Sequence, residues 1–518
     1  MDVRVSTRDV QQFDGDALAV GIFSDKGPLH GPAAALDEAL AGVIAELRAS
    51  GEVTGAADEV TLLHTLGKIE PSRVAIIGLG PRDRCTLERI RRASAIACRR
   101  LRKVKARHIG LALASAERGI NLAQAARAMT EGALLGLYEF QQYKSRATGD
   151  NAEKDKDTDA SGAGGCSIQT ITILGRGREP ALRSAVERGK VLAEATNFAR
   201  DLGNEPPNVL TPTEFGKRAQ RMAEEVGLEC EVYGPDWMRE QGMGALLGVA
   251  QGSAEEPRFI VLRYRGRARG EPGLALVGKG ITFDTGGISL KPGADMDAMK
   301  MDMCGGAAVA GAMMAIARLK PNTNVTGIIP TTENMPGGGA YRPGDILRAA
   351  NGKTIEILNT DAEGRLALAD ALSWAVKQKL SPLVDAATLT GAMVVALGHV
   401  RAGIFSNDET LGRTVLNAAE IAGERLWPMP MDDEYGDLIR SEIADLKQVG
   451  GRPAGSISAA KVISHFVGET PWAHLDIAGV NARAHKDAEW DKGATGFGVR
   501  TFVELATLLS GRKNAAAG

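Results

Sequence analysis

The chain has 518 residues, too many for one ordinary hydrophobic core, so at least two domains are expected. Hydrophobic residues make up 44% and charged residues 24%, the balance of a globular protein, and a formal net charge of -2 argues against a chain built as a whole to bind polyanions. The first residues lack the basic start and apolar core of a signal peptide, and no run of about 18 apolar residues occurs, so a cytoplasmic protein without a membrane span is expected. Five cysteines stand singly at Cys85, Cys98, Cys166, Cys230 and Cys304, with no CxxC pair, which points away from a disulfide framework or a zinc ribbon.

Residues 1–178 alternate short β-like runs (ALAVGIF, VTLLHTL, RVAIIGLG, HIGLALA) with helical ones (ALDEALAGVIAELRA, LAQAARAMTEGALLGLY), which predicts a smaller N-terminal α/β domain. Within it, 82–107 carries eleven basic residues against two acids, Asp83 and Glu88, with Ile90, Ala93, Ile96 and Ala97 on an apolar stripe. That segment reads either as a helix with a solvated basic face or as a nucleic-acid surface, and no interleaved aromatic residues support the second. Residues 147–165 have no apolar periodicity and read as a surface loop, after which SIQTITIL resumes the first domain as one more strand. Residues 179–204 read as a linking helix, stopped by Pro206, Pro207 and Pro212, with Thr211 or Thr213 placed to cap the next one. From 205 to 518 the alternation strengthens through FIVLRY, LALVGKG, VTGIIPT, TIEIL, LVDAATL, RAGIFS and WAHLDIAG, with helical runs such as CGGAAVAGAMMAIARL. A larger C-terminal α/β domain is expected, with a mostly parallel central sheet and helices on both faces.

The stretch IEILNTDAEGRLAL reads as the end of a buried strand running into a helix. In an extended segment Asp361 and Glu363 project to the same side, and Arg365 starts the helix. Upstream, LALVGKG leads into ITFDTGGISLKPGADMDAMKMDMCGG, which brings Lys279, Asp284, Lys291 and Asp302 close together, with Gly278, Gly280, Gly286 and Gly287 allowing tight turns. Asp284, Asp302, Asp361 and Glu363 at one sheet edge would repel unless cations compensated them. Two readings stay open. The acids either hold a pair of divalent metals, for which Zn, Mn, Mg and Co are all suitable, or form salt bridges with Lys279, Lys291, Lys300 and Arg365. The chain has no HExxH, GxxxxGK[ST] or GxSxG motif, Ser458 and Lys461 fit SxxK without its companion motifs, and His474 reads as a satisfied core residue.

Taken together, NTDAEGRLALADAL, the upstream VGKGITFDTGGISLKP and MKMDMCGGAA, and the flanking NEPPNVLTP and ENMP…AYRPGDI resemble the M17 leucyl aminopeptidase family of binuclear metallopeptidases, from about residue 204 onward. The resemblance implies two divalent ions per subunit, Mn or Zn, with Asp284 and Glu363 bridging them. It places Asp361 at an exchangeable site through its carboxylate and its carbonyl, with Asp302 and Lys279 completing a tighter one. Lys291 would face the scissile carbonyl, and Arg365 would hold a bicarbonate ion acting as general base. Met299, Thr388, Leu389 and Gly391 would line the pocket for a first side chain such as Leu or Met, although Met299 and Leu389 read equally well as core. The implied activity is hydrolysis of the N-terminal bond of peptides and dipeptides, Cys-Gly included, by a homohexamer. Two departures stand out: the 147–165 loop is long for the family, and Gly337 stands where a Ser is usual. Two other functions are compatible with the sequence, a DNA-binding accessory protein using 82–107 and a binuclear metal phosphoesterase.

Overall fold

The computed structural model describes residues 1–113, 120–145, 168–267 and 273–515, so the 147–165 stretch and Cys166 lie outside the described residues. The chain divides into two units, Met1–Glu194 with His485–Lys492, and Ala195–Ala484 with Gly493–Gly518.

In the first unit β1 (Asp2–Ser6), β2 (Ala17–Ile22), β3 (Val60–His64), β4 (Arg73–Gly78), β5 (His108–Ala112) and β6 (Thr170–Leu174) form a sheet in the order β1-β6-β5-β2-β4-β3. All neighbours are parallel except the edge pair β3 and β4. Side chains alternate across a strand, so a strand that is apolar throughout must be covered on both faces. Leu18, Val20, Val74 and Ile76 pack with Leu36 and Ile44 from the helices Gly31–Ala39 and Val43–Ala49. Ala17, Ala19, Ala75 and Ile77 pack with Ile90, Ala97 and Met129 from the helices Leu87–Lys103 and Leu122–Gly136. The run read as a single helix, ALDEALAGVIAELRA, is broken in two where Gly42 adopts φ +83.

The basic helix forms as Leu87–Lys103, but its basic face is only partly solvated. Arg91 is 2% exposed and pairs with Glu131 (2.7 Å) and with Glu88, Arg92 with Asp58 (3.0 Å) and Glu489 (2.7 Å), Arg99 with Asp491 (2.9 Å), and Arg102 with Glu139 (2.7 Å). Much of the charge on 82–107 is neutralised inside its own unit, because these arginines meet acids distant in sequence.

In the second unit, β7 (Glu229–Tyr233), β8 (Arg258–Arg265), β9 (Leu274–Gly278), β10 (Gly280–Asp284) and β11 (Asn324–Asn334) are followed by β12 (Ile346–Arg348), β13 (Thr354–Glu356), β14 (Leu383–Ala387), β15 (Ala402–Ser406), β16 (Leu426–Pro428), β17 (Leu446–Lys447) and β18 (Trp472–Asp476). The main sheet runs β16-β15-β18-β14-β9-β11-β8-β7, with β10 also paired to β11. Its centre, β18-β14-β9-β11, is parallel, and antiparallel pairs flank it. The helices Gly244–Ala250 and Gly364–Lys377 pack on one face, where Leu246, Leu366 and Ala369 meet Ala275, Val277 and Ile328. On the other face the helix Cys304–Leu319 approaches Gly327 through Val309 and Met313. The 24-residue stretch Met296–Leu319, which includes that helix, is apolar enough to cross a membrane by length and composition, but its most apolar window is 83% buried against the rest of the protein. The candidate strand TIEIL lies outside the main sheet: β13 belongs to a small sheet ordered β12-β13-β17.

Candidate active site

β10 ends at Asp284, in register with Asn334 of β11, and so delivers one carboxylate to the end of the sheet. The second strand-to-helix corner is built differently from the sequence expectation. Beyond β13 the chain turns irregularly through 357–363 before the helix Gly364–Lys377 begins, so turn geometry rather than strand alternation brings Asp361 and Glu363 together. Asp284, Asp361 and Glu363 each offer a carboxylate oxygen, all within 4.8 Å of one another. Lys279 Nζ lies 2.7 Å from Asp302 Oδ2 and 2.8 Å from Glu363 Oε1, and donates to the Thr388 carbonyl (3.0 Å). Lys291 Nζ lies 2.8 Å from Asp284 Oδ2 and also pairs with Asp361. Lys300 donates to the Asn204 carbonyl (2.7 Å), and Arg365 donates to the Gln448 carbonyl (2.7 Å).

A cavity of about 630 Å³ borders this cluster, with Asp361 and Arg365 on one side and Leu389, Gly391, Val395 and Met429 on its apolar wall. Of the four residues expected to line a substrate pocket, Leu389 and Gly391 line this cavity. Thr388 points its hydroxyl at Asp302 Oδ1 (2.7 Å), and Met299, half-buried on the short 3-10 helix Met296–Met301, stands outside the cavity wall.

Crowded, buried acids are hard to ionise together. Burial, then Asp284 and Glu363, lift Asp302 well above the usual carboxylate range against the pull of Lys279. Burial also raises Glu363 and Asp361. Burial by itself would depress the Lys279 and Lys291 ammonium groups, but the carboxylates around them outweigh it and hold both above their ordinary value. Burial lowers the Arg365 guanidinium to about 10. Four carboxylates thus face two ammonium groups. Glu363 Oε2 is buried without a hydrogen bond, an arrangement native proteins rarely leave uncompensated. Oxygen donors in negative excess, one of them unpartnered, fit hard divalent cations.

The model of the cytosol aminopeptidase family's catalytic domain matches residues 197–503, and that of its N-terminal domain matches 19–147. The chain belongs to this family. It is 48% identical over 507 residues to a probable cytosol aminopeptidase of Solibacter usitatus, covering 98% of this chain and 99% of that one. It is 44% identical over 524 residues to the corresponding protein of Koribacter versatilis, again covering 98% and 99%. Among solved structures, a mutant of tomato leucine aminopeptidase superposes with a TM-score of 0.86 at 32% identity, covering 98% of this chain and 96% of that one. The bottromycin maturation enzyme BotP in complex with Mn superposes with a TM-score of 0.82 at 36% identity, covering 96% and 100%. The protein is an aminopeptidase, a peptide hydrolase that binds metal.

Several residues that hold the site have no visible signal in the sequence. Asn334 Nδ2 donates to Asp284 Oδ1 (2.8 Å) and to the Thr360 carbonyl (3.0 Å), which also accepts from the Tyr341 hydroxyl (2.7 Å). Gln448 accepts through its side chain from the Leu358 and Asn359 N–H groups (both 3.1 Å), and its side-chain amide donates to the Ala362 carbonyl (3.1 Å). The turn at Gly286 and Gly287 uses φ +88 and +66, as their glycine content suggested. Gly364 is needed for closeness: a Cβ there would lie 2.6 Å from Lys279 Cε. His474 is buried in the core as expected, with Nδ1 2.6 Å from Asp385 Oδ1, but its Nε2 has no hydrogen bond among the described residues, so it is not fully satisfied, and Lys461 of the SxxK match lies 3.4 Å from Asp433.

Proposed function

We propose that the enzyme uses two divalent ions, Mn or Zn, to remove N-terminal residues from peptides and dipeptides, with preference for Leu and other large apolar side chains. The observation that carries this reading is the convergence of Asp284, Asp361 and Glu363 beside a largely apolar cavity that Asp361 and Arg365 line. Asp284, Asp302, Asp361, Glu363 and Lys279 would hold the ions, Lys279 as a neutral amine. When bound, such a pair polarises a carbonyl and makes water a nucleophile near neutral pH. The apolar wall formed by Leu389, Val395 and Met429 takes the first side chain, and burial of that group favours Leu or Met over small residues. Lys291, reaching over Asp284 and Asp361, supplies positive charge where the scissile carbonyl oxygen gains negative charge. The Arg365 guanidinium, which lines the cavity, is anchored to the Gln448 carbonyl and has its Nε without a hydrogen bond; it would hold a bicarbonate ion, and that ion would supply a general base for water. With Asp284, Asp302, Asp361 and Glu363 taken up as metal ligands, the chain would have no free acid there to serve as the base. Family resemblance adds a homohexamer in the cytosol to this proposal.

The test is hydrolysis of leucyl p-nitroanilide by the purified chain, before and after chelation and with Mn or Zn restored. Release that vanishes on chelation, returns with metal, and is absent for the N-acetylated substrate supports the reading. Activity that survives complete removal of metal refutes it.

A further inference from the structure

The first unit holds a cavity that peptide hydrolysis does not use. After β2 the chain crosses one face of the sheet through the helices Gly31–Ala39 and Val43–Ala49 to the edge strand β3 and returns antiparallel as β4, on one side of β2. After β4 it crosses the other face through Leu87–Lys103 and enters β5, on the opposite side of β2, and beyond β5 it continues on that other face through Leu122–Gly136 to β6, on the side of β5 away from β2. β2 and β5 are therefore parallel neighbours whose connections leave in opposite directions. At such a switch point an open α/β sheet forms a crevice outside the carboxyl ends of its strands, where ligands bind. A cavity of about 250 Å³ lies there, walled by Ile22, Phe23 and the loop after β2, and by Leu113 just beyond β5.

Its charge is one-sided. Among the described residues, Lys26, Arg48 and Arg82 line it together with His30, against a single acid, Asp25. The Asp25 carboxylate accepts the Arg82 backbone N–H (2.7 Å), and Arg48 donates to the Asp25 carbonyl rather than to its carboxylate. Neither Lys26 nor Arg48 forms an ion pair among the described residues. The Arg82 guanidinium lies 4.9 Å from the centre of the Phe23 ring and gives the cavity a flat wall. The nine-residue helix Gly31–Ala39 starts at the same rim with no side-chain cap and no acid in its first turn, which adds the positive end of its dipole.

We infer that this crevice binds a small phosphate ester, with the phosphate at Lys26, Arg48 and the start of the helix and the organic body against Phe23. The volume is just below the ~300–1,000 Å³ of pockets for drug-sized ligands, which suits a sugar phosphate or a nucleoside monophosphate and is too small for a dinucleotide. The test is titration calorimetry of the full chain at low ionic strength with ribose 5-phosphate, adenosine 5'-monophosphate and inorganic phosphate, repeated on Lys26→Glu and Arg48→Ala. At least one ester is expected to bind with Kd below about 1 mM, and each substitution should weaken it about tenfold. Hydrolysis of leucyl p-nitroanilide should be unchanged in both variants, which shows that they are folded. Tighter binding of the nucleotide than of ribose 5-phosphate assigns a base contact, and equal binding of the two assigns a sugar phosphate. No heat with either ester up to about 10 mM, binding unmoved by both substitutions, or inorganic phosphate binding as tightly as the esters would overturn the inference.

Discussion

Each unit buries a cluster of charge, and the two clusters are balanced differently. In the first unit Arg91 sits between Glu131 and Glu88, and Arg127 holds the other oxygen of Glu131 at 2.6 Å, so two guanidinium groups meet two carboxylates. Both Glu131 oxygens are engaged, and its partners hold the Arg91 pKa above the usual value despite complete burial. In the second unit Lys279 and Lys291 face Asp284, Asp302, Asp361 and Glu363, and Glu363 Oε2 has no hydrogen bond. The first cluster is complete as the chain folds, and it fixes the helices Leu87–Lys103 and Leu122–Gly136 against each other. The second is short of positive charge. A buried site with excess negative charge is disfavoured by its own repulsion and is relieved by added cations, so stability is given up where chemistry is needed.

The largest expected effect lies at the incomplete cluster. Glu363→Gln keeps the side chain's shape but removes a charge, and turnover of leucyl p-nitroanilide should fall about a thousandfold, about 4 kcal/mol of barrier. Metal content measured by mass spectrometry should fall with it, and a variant retaining full metal and activity would show that the cluster has been misread. At the complete cluster the effect should be on stability alone. Glu131→Gln leaves Arg91 and Arg127 without their shared charge and should destabilise the first unit by about 3 kcal/mol in chemical unfolding, with normal turnover per folded molecule. Next in size is metal linkage: Mn or Zn at about a hundredfold over Kd should stabilise the chelated protein by about 2.7 kcal/mol, visible as a higher melting temperature of the second unit. If chelation left that melting temperature unchanged, the second cluster would be as self-sufficient as the first, and the contrast would fail.

The sequence carried the two-domain α/β architecture because buried parallel strands leave continuous apolar runs, and β9, β14 and β18 are buried throughout. β1 and β7 escaped notice because, as edge strands, they alternate half-buried and exposed residues and give only short, weak signals. The acids and lysines of the site were legible because they cluster in two short motifs around Asp284 and Glu363. Gln448 was not: its contacts are with Leu358, Asn359, Ala362 and Arg365, more than 80 residues upstream, and nothing local marks it. The pairing of Arg92 with Glu489 and of Arg99 with Asp491 was hidden for the same reason, so 82–107 looked far more basic in sequence than it is in space.

Asp370 offers the smallest and most specific test of the contrast, since it is a buried acid with no cation at all. It lies on the helix Gly364–Lys377, where its two oxygens accept from the Leu246 and Ala350 N–H groups, both at 2.7 Å. Burial pushes its pKa up to about 7, while backbone donors including Leu246 and Ala350 hold it lower than burial alone would. A carboxyl whose folded pKa lies above its unfolded value of 3.8 contributes stability that is complete below that value and is lost as pH rises through about 7. Asp370→Asn removes this titration while retaining one acceptor. The stability of the natural protein relative to the variant should therefore fall between about pH 5.5 and 6.5, by at most about 1.4 kcal/mol per pH unit. Unfolding midpoints of the two proteins measured side by side across this range cancel the titrations they share. A difference that stays flat would mean that the backbone donors compensate Asp370 as fully as the arginines compensate Glu131, and that a buried acid here needs no cation to remain ionised.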